Sequence, residues 1–325
     1  MKKLIRRKAP LIRRKAPLIS IVTPIYNEEE NVQELYRELK KLMQNEKKYN
    51  FEIIAVEHGS SDTSLEKLIK LHKKDRRLKI LQLSKNFGNA DAGIAAGLVF
   101  AKGDAAAIMM ADLQESPQVV SRFLRKWEQG YEIVYGIIKK RADSSFARKI
   151  MSLAYYKILN LVTGNLFPPN VADFRLMDKK VYQTINNMPE RNKFLRGMTI
   201  WTGFKQIGIP YERLPRFAGT PKADFATALK VAINGIFSFS YLPLRLITLL
   251  GIAVSLLSFF MIVVQLILLA LYGRVTPGQT TIVILISFFF GVLFLILGII
   301  GEYLSRIYDE VKQRPTYIVK NKIGL

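Results

Sequence analysis

The sequence predicts an α/β domain of alternating strands and helices, followed by two helices that cross a membrane. Three observations lead there. From Leu18 onward, β-branched runs that end in polar loops alternate with segments whose apolar residues recur at helical spacing. Residues 246–271 carry no charge and only Gln265 as a strongly polar group, and residues 281–300 are again uncharged and apolar. Each stretch meets the roughly 20 apolar residues that a helix needs to cross a hydrocarbon core. A buried soluble helix fits poorly, because helices of globular domains rarely lack a polar face over that length. Finally, four of the early strands end in Gly-, Asn- or acid-bearing turns, a denser polar chemistry than solvated loops usually supply.

The elements follow in order. Residues 1–17 are basic, with LIRRKAP at 4–10 repeated at 11–17; a repeat this short builds no solenoid and reads as a disordered basic tail. LISIVTPIYN is a first strand. The helix after it places Val32, Leu35, Tyr36, Leu39 and Leu42 on one face, with Glu28, Glu29 and Glu30 where acids complement the helix dipole. FEIIAVEHGSSDTS gives a second strand and a turn in which Ser60, Ser61, Asp62 or Thr63 caps a helix running through His72. LKILQLSKNFG is a third strand, 90–101 a helix of small residues, and AAAIMMADLQ a fourth strand, apolar as a central parallel strand should be. In a doubly wound fold, ligands bind beyond the carboxyl ends of the strands, so 24–28, 57–62, 85–88 and 112–115 fall on one rim. Residues 225–241 put Leu229, Ile233, Ile236 and Phe237 on one helical face and read as a helix in the membrane interface, a core-packing helix being the alternative.

Charge narrows the function class. The 325 residues carry a formal net charge of +23 from 49 Lys and Arg. Most of these precede the first span; Arg306, Lys312, Arg314, Lys320 and Lys322 follow the second, and only Arg274 lies between the spans. The positive-inside bias predicts that both termini are cytoplasmic and that the protein is a multi-pass component of the inner (plasma) membrane. No zinc-finger spacing, RNP-like aromatic signature or basic zipper supports nucleic acid as a partner. Anionic lipid headgroups and phosphorylated substrates fit the charge better. With no cysteine, disulfides and thiolate metal sites are excluded.

The segments IVTPIYNEEENV, GSSDTS, LSKNFGNADAGIAAGL, ADLQESP, ADFRLMDKKV, the run from MPERNKFLRG to RFAGTPK, and GEYLSRIYDEVKQRPTYIV occur in an order that resembles glycosyltransferase family two. Within it they are similar to the membrane-bound polyisoprenyl-phosphate glycosyltransferases, relatives of dolichol-phosphate mannose synthase. The resemblance implies a GT-A type, Rossmann-like nucleotide-sugar domain, a Mg²⁺ or Mn²⁺ ion, and inverting transfer of one sugar onto a membrane polyprenyl phosphate. A processive polysaccharide synthase would carry Gln-x-x-Arg-Trp, and neither Trp127 nor Trp201 sits in one. The arrangement of spans and the C-terminal segment resemble bacterial undecaprenyl-phosphate glucosyl carriers, so glucose from UDP-glucose is the expected donor sugar. The expected division is a tail over 1–17, the GT-A domain over 18–224, an interfacial region over 225–245, the spans over 246–304 and a cytoplasmic tail over 305–325. PTYIV is expected to pair as a strand with a neighbouring subunit in a homo-oligomer.

By resemblance, Asp112 and Gln114 match metal-coordinating positions; two residues apart on an extended segment, their side chains would approach one ion. Pro24, Tyr26, Asn27 and Glu28 match the loop for nucleobase and ribose, with Glu57, Gly59 and Ser60 beside them. Lys85, Asn86 and Gly88 resemble a further nucleotide-contacting turn. Asp173 matches a base or orienting carboxylate and is followed by Arg175; a helix-capping acid is its structural alternative. Arg148, Arg216 and Lys222 match basic positions for the acceptor phosphate, and Arg is well suited to bidentate phosphate contact. Three departures lie at this site: the usual Asp-Asp-Gly-Ser turn reads EHGS, with Glu57 and His58; Met110 replaces the first acid of Asp-Ala-Asp-Leu-Gln; and Ile138 replaces an Arg whose charge Lys139, Lys140 and Arg141 could partly supply, with Arg141 expected beside the acceptor phosphate. They leave two readings open. One is an active transferase in which Glu57 helps to hold the ion, and the other a membrane-anchored relative that binds nucleotide or lipid phosphate with weakened transfer.

Overall fold

A computed structural model describes residues 16–88, 90–141, 170–191, 193–219, 242–272 and 278–325. Its strands are β1 (Leu18–Ile25), β2 (Asn50–Glu57), β3 (Leu78–Leu83), β4 (Ala105–Ile108), β5 (Ile133–Arg141), β6 (Val171–Asp178), β7 (Gln206–Arg213) and β8 (Val319–Ile323). Its helices are α1 (Val32–Asn45), α2 (Ser64–Lys74), α3 (Ala90–Phe100), α4 (Val119–Glu128), α5 (Lys179–Asn187), α6 (Leu195–Trp201), α7 (Leu242–Tyr272) and α8 (Gln279–Lys312). The strands form one sheet in the order β7-β5-β6-β4-β1-β2-β3-β8.

The first half is the alternation read from the sequence. β1 pairs in parallel with β2 and β4, and β2 with β3, so the carboxyl ends of these four strands share one edge. α1 buries Val32, Leu35, Leu39, Leu42 and Met43, the stripe its spacing predicts. β4 is short, built of small and apolar residues, and wholly buried between β1 and β6. The second half departs from a doubly wound parallel sheet. β6 runs antiparallel between β4 and β5, and β7 returns parallel to β5. Residues 305–325 also differ from the expected tail. They divide between the end of α8 and β8, which pairs antiparallel with β3 of the same chain and covers that edge. Of PTYIV, expected to pair with a neighbouring subunit, only Val319 is in a strand, and it begins β8 within its own chain, where Tyr317 and Leu325 also pack against the core.

The core lies on both faces of the sheet. α3 sits flat on β1 and β2 because it presents glycine there. A Cβ at Gly97 would fall 2.4 Å from Val22 Cγ1 and 2.9 Å from Val56 Cγ2. Gly97→Val is thus expected to destabilise the protein by about 2–3 kcal/mol through overpacking, read as a lower midpoint in denaturant unfolding of the detergent-solubilised protein. An unchanged midpoint would mean that α3 shifts freely on the sheet.

α7 and α8 are long and apolar enough to cross a membrane, with candidate spans at Leu246–Leu268 and Phe288–Lys312. Side chains such as Leu256, Phe259 and Phe294 stand about two-thirds exposed, 65%, 66% and 66%, an apolar surface that calls for a lipid environment. Of the expected interfacial region, 225–241 lies outside the described residues, and 242–245 begin α7.

Candidate active site

The first three strand ends are tied into one cradle by the loops that follow them. Asn27, in the left-handed region at φ 50°, donates its N–H to Ser60 Oγ (3.0 Å), and its Oδ1 accepts from Ser61 N (2.8 Å). Glu28 N donates to Ser64 Oγ (2.9 Å) and Glu29 N to Asp62 Oδ2 (3.0 Å). Gly59 has φ 72°, and a Cβ there would lie 2.7 Å from the Lys85 backbone, so only glycine lets the 57–60 turn touch the 85–88 turn. Asn27, Glu28, Asn31, Ser61, Asp62 and Gly219 line a cleft of about 290 Å³.

His58 and Glu57 occupy the departing positions of the turn. Glu57 is 1% exposed, and its carboxylate accepts the Ser60 N–H, which holds the turn. The carboxylate expected to help hold an ion is thus engaged in the backbone. His58 is buried, and Nδ1 faces Asn86 Oδ1 at 3.3 Å, an oxygen that also accepts Gly88 N–H at 2.8 Å. Burial pushes the imidazole pKa down against that hydrogen bond. Nδ1 therefore carries the proton, and Nε2 is a buried acceptor with no partner among the described residues. Pro24 lies beside this ring across Gly93.

Asp112 and Gln114 do not lie on an extended segment. The strand ends at Ile108, and Leu113 adopts φ 58°, so the two residues form a tight turn in which Gln114 N–H donates to Asp112 Oδ1 (3.2 Å). The segment after β7 folds over this turn. Leu214 N donates to Gln114 O (3.0 Å), Phe217 N to Asp112 O (3.3 Å), and Asn31 Nδ2 to Ala218 O (3.3 Å). Its cations follow: Arg216 Nη2 lies 3.1 Å from Asp112 Oδ2, and Arg213 Nη2 donates to Gln114 Oε1 (2.7 Å). Arg216, expected at the acceptor phosphate, is thus placed on Asp112, the acid expected to hold the ion. Met110, partly buried, packs against apolar residues, and its N–H donates to Glu115 Oε2 (3.2 Å). Glu115 is 3% exposed, and burial lifts its carboxyl to about 8.

Among the described residues no three His, Asp or Glu side chains converge on a point. Asp112 and Gln114 bring two oxygen-bearing side chains to one turn, each held by an arginine, and such donors suit Mg²⁺ or Mn²⁺ when substrate phosphate and water complete the shell. The residues fit a substrate-assisted ion rather than an all-protein cage.

A second cluster forms on β6 and α6. Arg196 grips Asp173 with Nε on Oδ1 (3.0 Å) and Nη2 on Oδ2 (2.7 Å). Arg175, 2% exposed, lies 3.9 Å from Asp173 Oδ1 and donates to Ala172 O (2.9 Å), Asp173 O (3.1 Å) and Thr199 Oγ1. Burial disfavours the Asp173 anion, but Arg196 and Arg175 outweigh it and hold its carboxyl below the ordinary range. Burial brings Arg175 down to about 10, opposed by Asp173. Asp173 caps no helix; that role falls to Asp178, which accepts Lys180 N–H at the start of α5.

Of the remaining expected residues, Tyr26 is partly buried, Lys85 lies 5.4 Å from the Phe87 ring, and Arg141 ends β5 opposite Arg213 of β7. Ile138 is buried in the core rather than on the rim. Arg148 and Lys222 lie outside the described residues. The sequence reading missed Asn31, Asp91, Arg196 and Arg213. Asp91 and Arg196 carried a signal, each being a lone charge in an otherwise apolar helix.

Residues 20–185 match the model of Glycosyl transferase family 2. An uncharacterized glycosyltransferase of Synechocystis sp. is 39% identical over 305 residues, covering 94% of this chain and 95% of that one. The bactoprenol glucosyl transferase of Shigella phage SfV is 34% identical over 93% of this chain and 98% of its own, and a prophage bactoprenol glucosyl transferase homolog of Escherichia coli 32% over 92% and 97%. Among solved structures, glucosyl-3-phosphoglycerate synthase from Mycobacterium tuberculosis aligns with a TM-score of 0.47 at 14% identity, covering 68% of this chain and 79% of that one. With its family model matched over half the chain and relatives aligned along nearly all of it, this chain is a glycosyltransferase and belongs to glycosyl transferase family 2.

Proposed function

We propose that the protein transfers a single glucose from UDP-glucose, with inversion, to undecaprenyl phosphate at the cytoplasmic face of the membrane in which α7 and α8 are embedded. The observation that carries the reading is the pairing of two clusters at the sheet edge. Asp112, Gln114, Arg213 and Arg216 form a corner suited to a diphosphate and its ion, and Asp173 is held ionised among Arg196 and Arg175. The relatives named bactoprenol glucosyl transferase support the acceptor and the sugar. The acceptor is a phosphate monoester already ionised near neutral pH, so it needs positioning more than a strong base. Its oxygen bonds to the anomeric carbon on the face opposite the diphosphate, the bond to the diphosphate breaks, and UDP leaves with the electron pair. Asp112 and Gln114 would hold the Mg²⁺ or Mn²⁺ that neutralises this leaving group, while Arg213 and Arg216 add fixed charge beside it. The cradle of Pro24, Tyr26, Asn27, Glu28, Gly59 and Ser60, with Lys85, Asn86 and Gly88, would take the nucleoside.

The test is direct. Purified protein in lipid is incubated with Mn²⁺, undecaprenyl phosphate and a panel of radiolabelled UDP- and GDP-sugars, and label is sought in the organic phase. Label from UDP-glucose above the other donors is expected. No label from any donor, alongside measurable nucleotide binding, would leave the membrane-anchored relative with weakened transfer as the correct reading.

A further inference from the structure

We propose that Asp91 is a further acceptor-binding residue, completing with Arg196 and Asp173 a site for the phosphate monoester of the lipid. The proposal rests on the transferase reading above and deepens it. Two consecutive residues at the start of α6 are gripped by two carboxyl groups from different elements. Asp91, in the first turn of α3, accepts the Leu195 N–H, and Asp173, on β6, chelates the Arg196 guanidinium. Both acids are partly exposed, the Asp173 side chain at 32%. Asp91 is the lone charge of α3, ADAGIAAGLVF; its first-turn place complements the helix dipole, and its carboxyl also reaches the start of α6.

The charge balance shows what the arrangement does. Burial and the neighbouring Asp173 anion lift Asp91 to about 7, against the pull of Arg196 and Arg175. Asp173 remains ionised, so with Asp91 neutral the two arginines leave one uncompensated positive charge, and with Asp91 ionised they leave none. The other ionisable groups facing the cluster are Glu115 and Arg213, with His58 packed against α3 at Gly93. The neutral Asp91 carboxyl also has a proton to donate to a phosphate oxygen, which an ionised one lacks. An asparagine amide can make the same donation at every pH, and an alanine cannot.

The experiment measures acceptor KM and kcat for wild type, Asp91→Ala and Asp91→Asn between pH 6 and 9, with undecaprenyl phosphate vesicles and radiolabelled UDP-glucose. Asp91→Ala is expected to raise the acceptor KM at pH 6.5 at least tenfold with kcat within threefold. Wild type is expected to lose acceptor affinity above pH 7, and Asp91→Asn should restore KM to within about threefold and remove that loss. Asp91→Asn as impaired as Asp91→Ala, or an alkaline loss that persists in Asp91→Asn, overturns the proposal. If Asp91→Ala fails to fold, the pH profile of Asp91→Asn alone decides. If wild type transfers no label, the transferase reading fails separately, and titration with farnesyl phosphate decides: equal affinity in wild type and Asp91→Asn from pH 6.5 to 8.5 overturns the role of Asp91.

Discussion

Asp112→Asn is expected to lower sugar transfer by about a hundredfold or more, close to 2.7 kcal/mol of lost transition-state stabilisation, while leaving the fold intact. The carboxylate has three attachments to separate. Oδ1 accepts the Gln114 N–H that closes the turn, Oδ2 meets Arg216, and the backbone carbonyl accepts Phe217 N–H. Asparagine keeps an oxygen for the first and the carbonyl for the third. It removes the charge that would hold an ion and pair Arg216. Nucleotide binding measured with Mn²⁺ and then with EDTA reads the difference: wild type should lose affinity on chelation, and Asp112→Asn should bind equally weakly in both. Metal-dependent binding that survives in Asp112→Asn would mean that the ion is held elsewhere, and the assignment of Asp112 and Gln114 would fall. Asp112→Ala adds the loss of the turn, so any further decrease from Asn to Ala measures what the Oδ1 bond contributes to the loop.

The rim was readable because local patterns wrote it. β1, β2 and β3 alternate with helices whose stripes, such as Val32, Leu35, Leu39 and Leu42, are buried as spaced, and parallel pairing then forces their polar ends onto one edge. What was not readable came from contacts between residues far apart in sequence. The segment after β7 reaches back across some hundred residues to Asp112 and Gln114, and nothing in RFAGTPK states which acid its arginine meets. β8 pairs with β3 across more than two hundred residues, and an edge strand is equally satisfied by its own chain or by a neighbour, so PTYIV alone could state neither the partner nor that the strand begins at Val319. The direction of β6 was hidden for a similar reason: the β-branched and apolar residues of a buried strand are the same whichever way it runs. Met110 is the departure that the structure accounts for. Its side chain joins the apolar layer, and the carboxyl that approaches its backbone is Glu115.

Asp173→Asn should reduce kcat for transfer by about 10²- to 10³-fold, the range seen when a fixed charge at a reacting centre is removed, with nucleotide binding unchanged. Asp173 is the anion around which the second cluster is arranged: Arg196 holds both its oxygens, Arg175 lies at 3.9 Å, and Arg175 is itself fixed by two carbonyls and Thr199. The amide can keep one hydrogen bond from Arg196 but not the charge, so two guanidinium groups would face the acceptor without their counter-ion. A lipid phosphate would then bind at least as tightly, yet its oxygen would be drawn toward the arginines and away from the line of attack. The signature is therefore a kcat loss with an acceptor KM that stays level or falls. The partial exposure of Asp173, 32%, tempers the structural cost, because water can solvate Arg196 in the variant. If instead the unfolding midpoint and nucleotide affinity fall together with transfer, Asp173 serves the scaffold, and the catalytic role assigned to it is wrong.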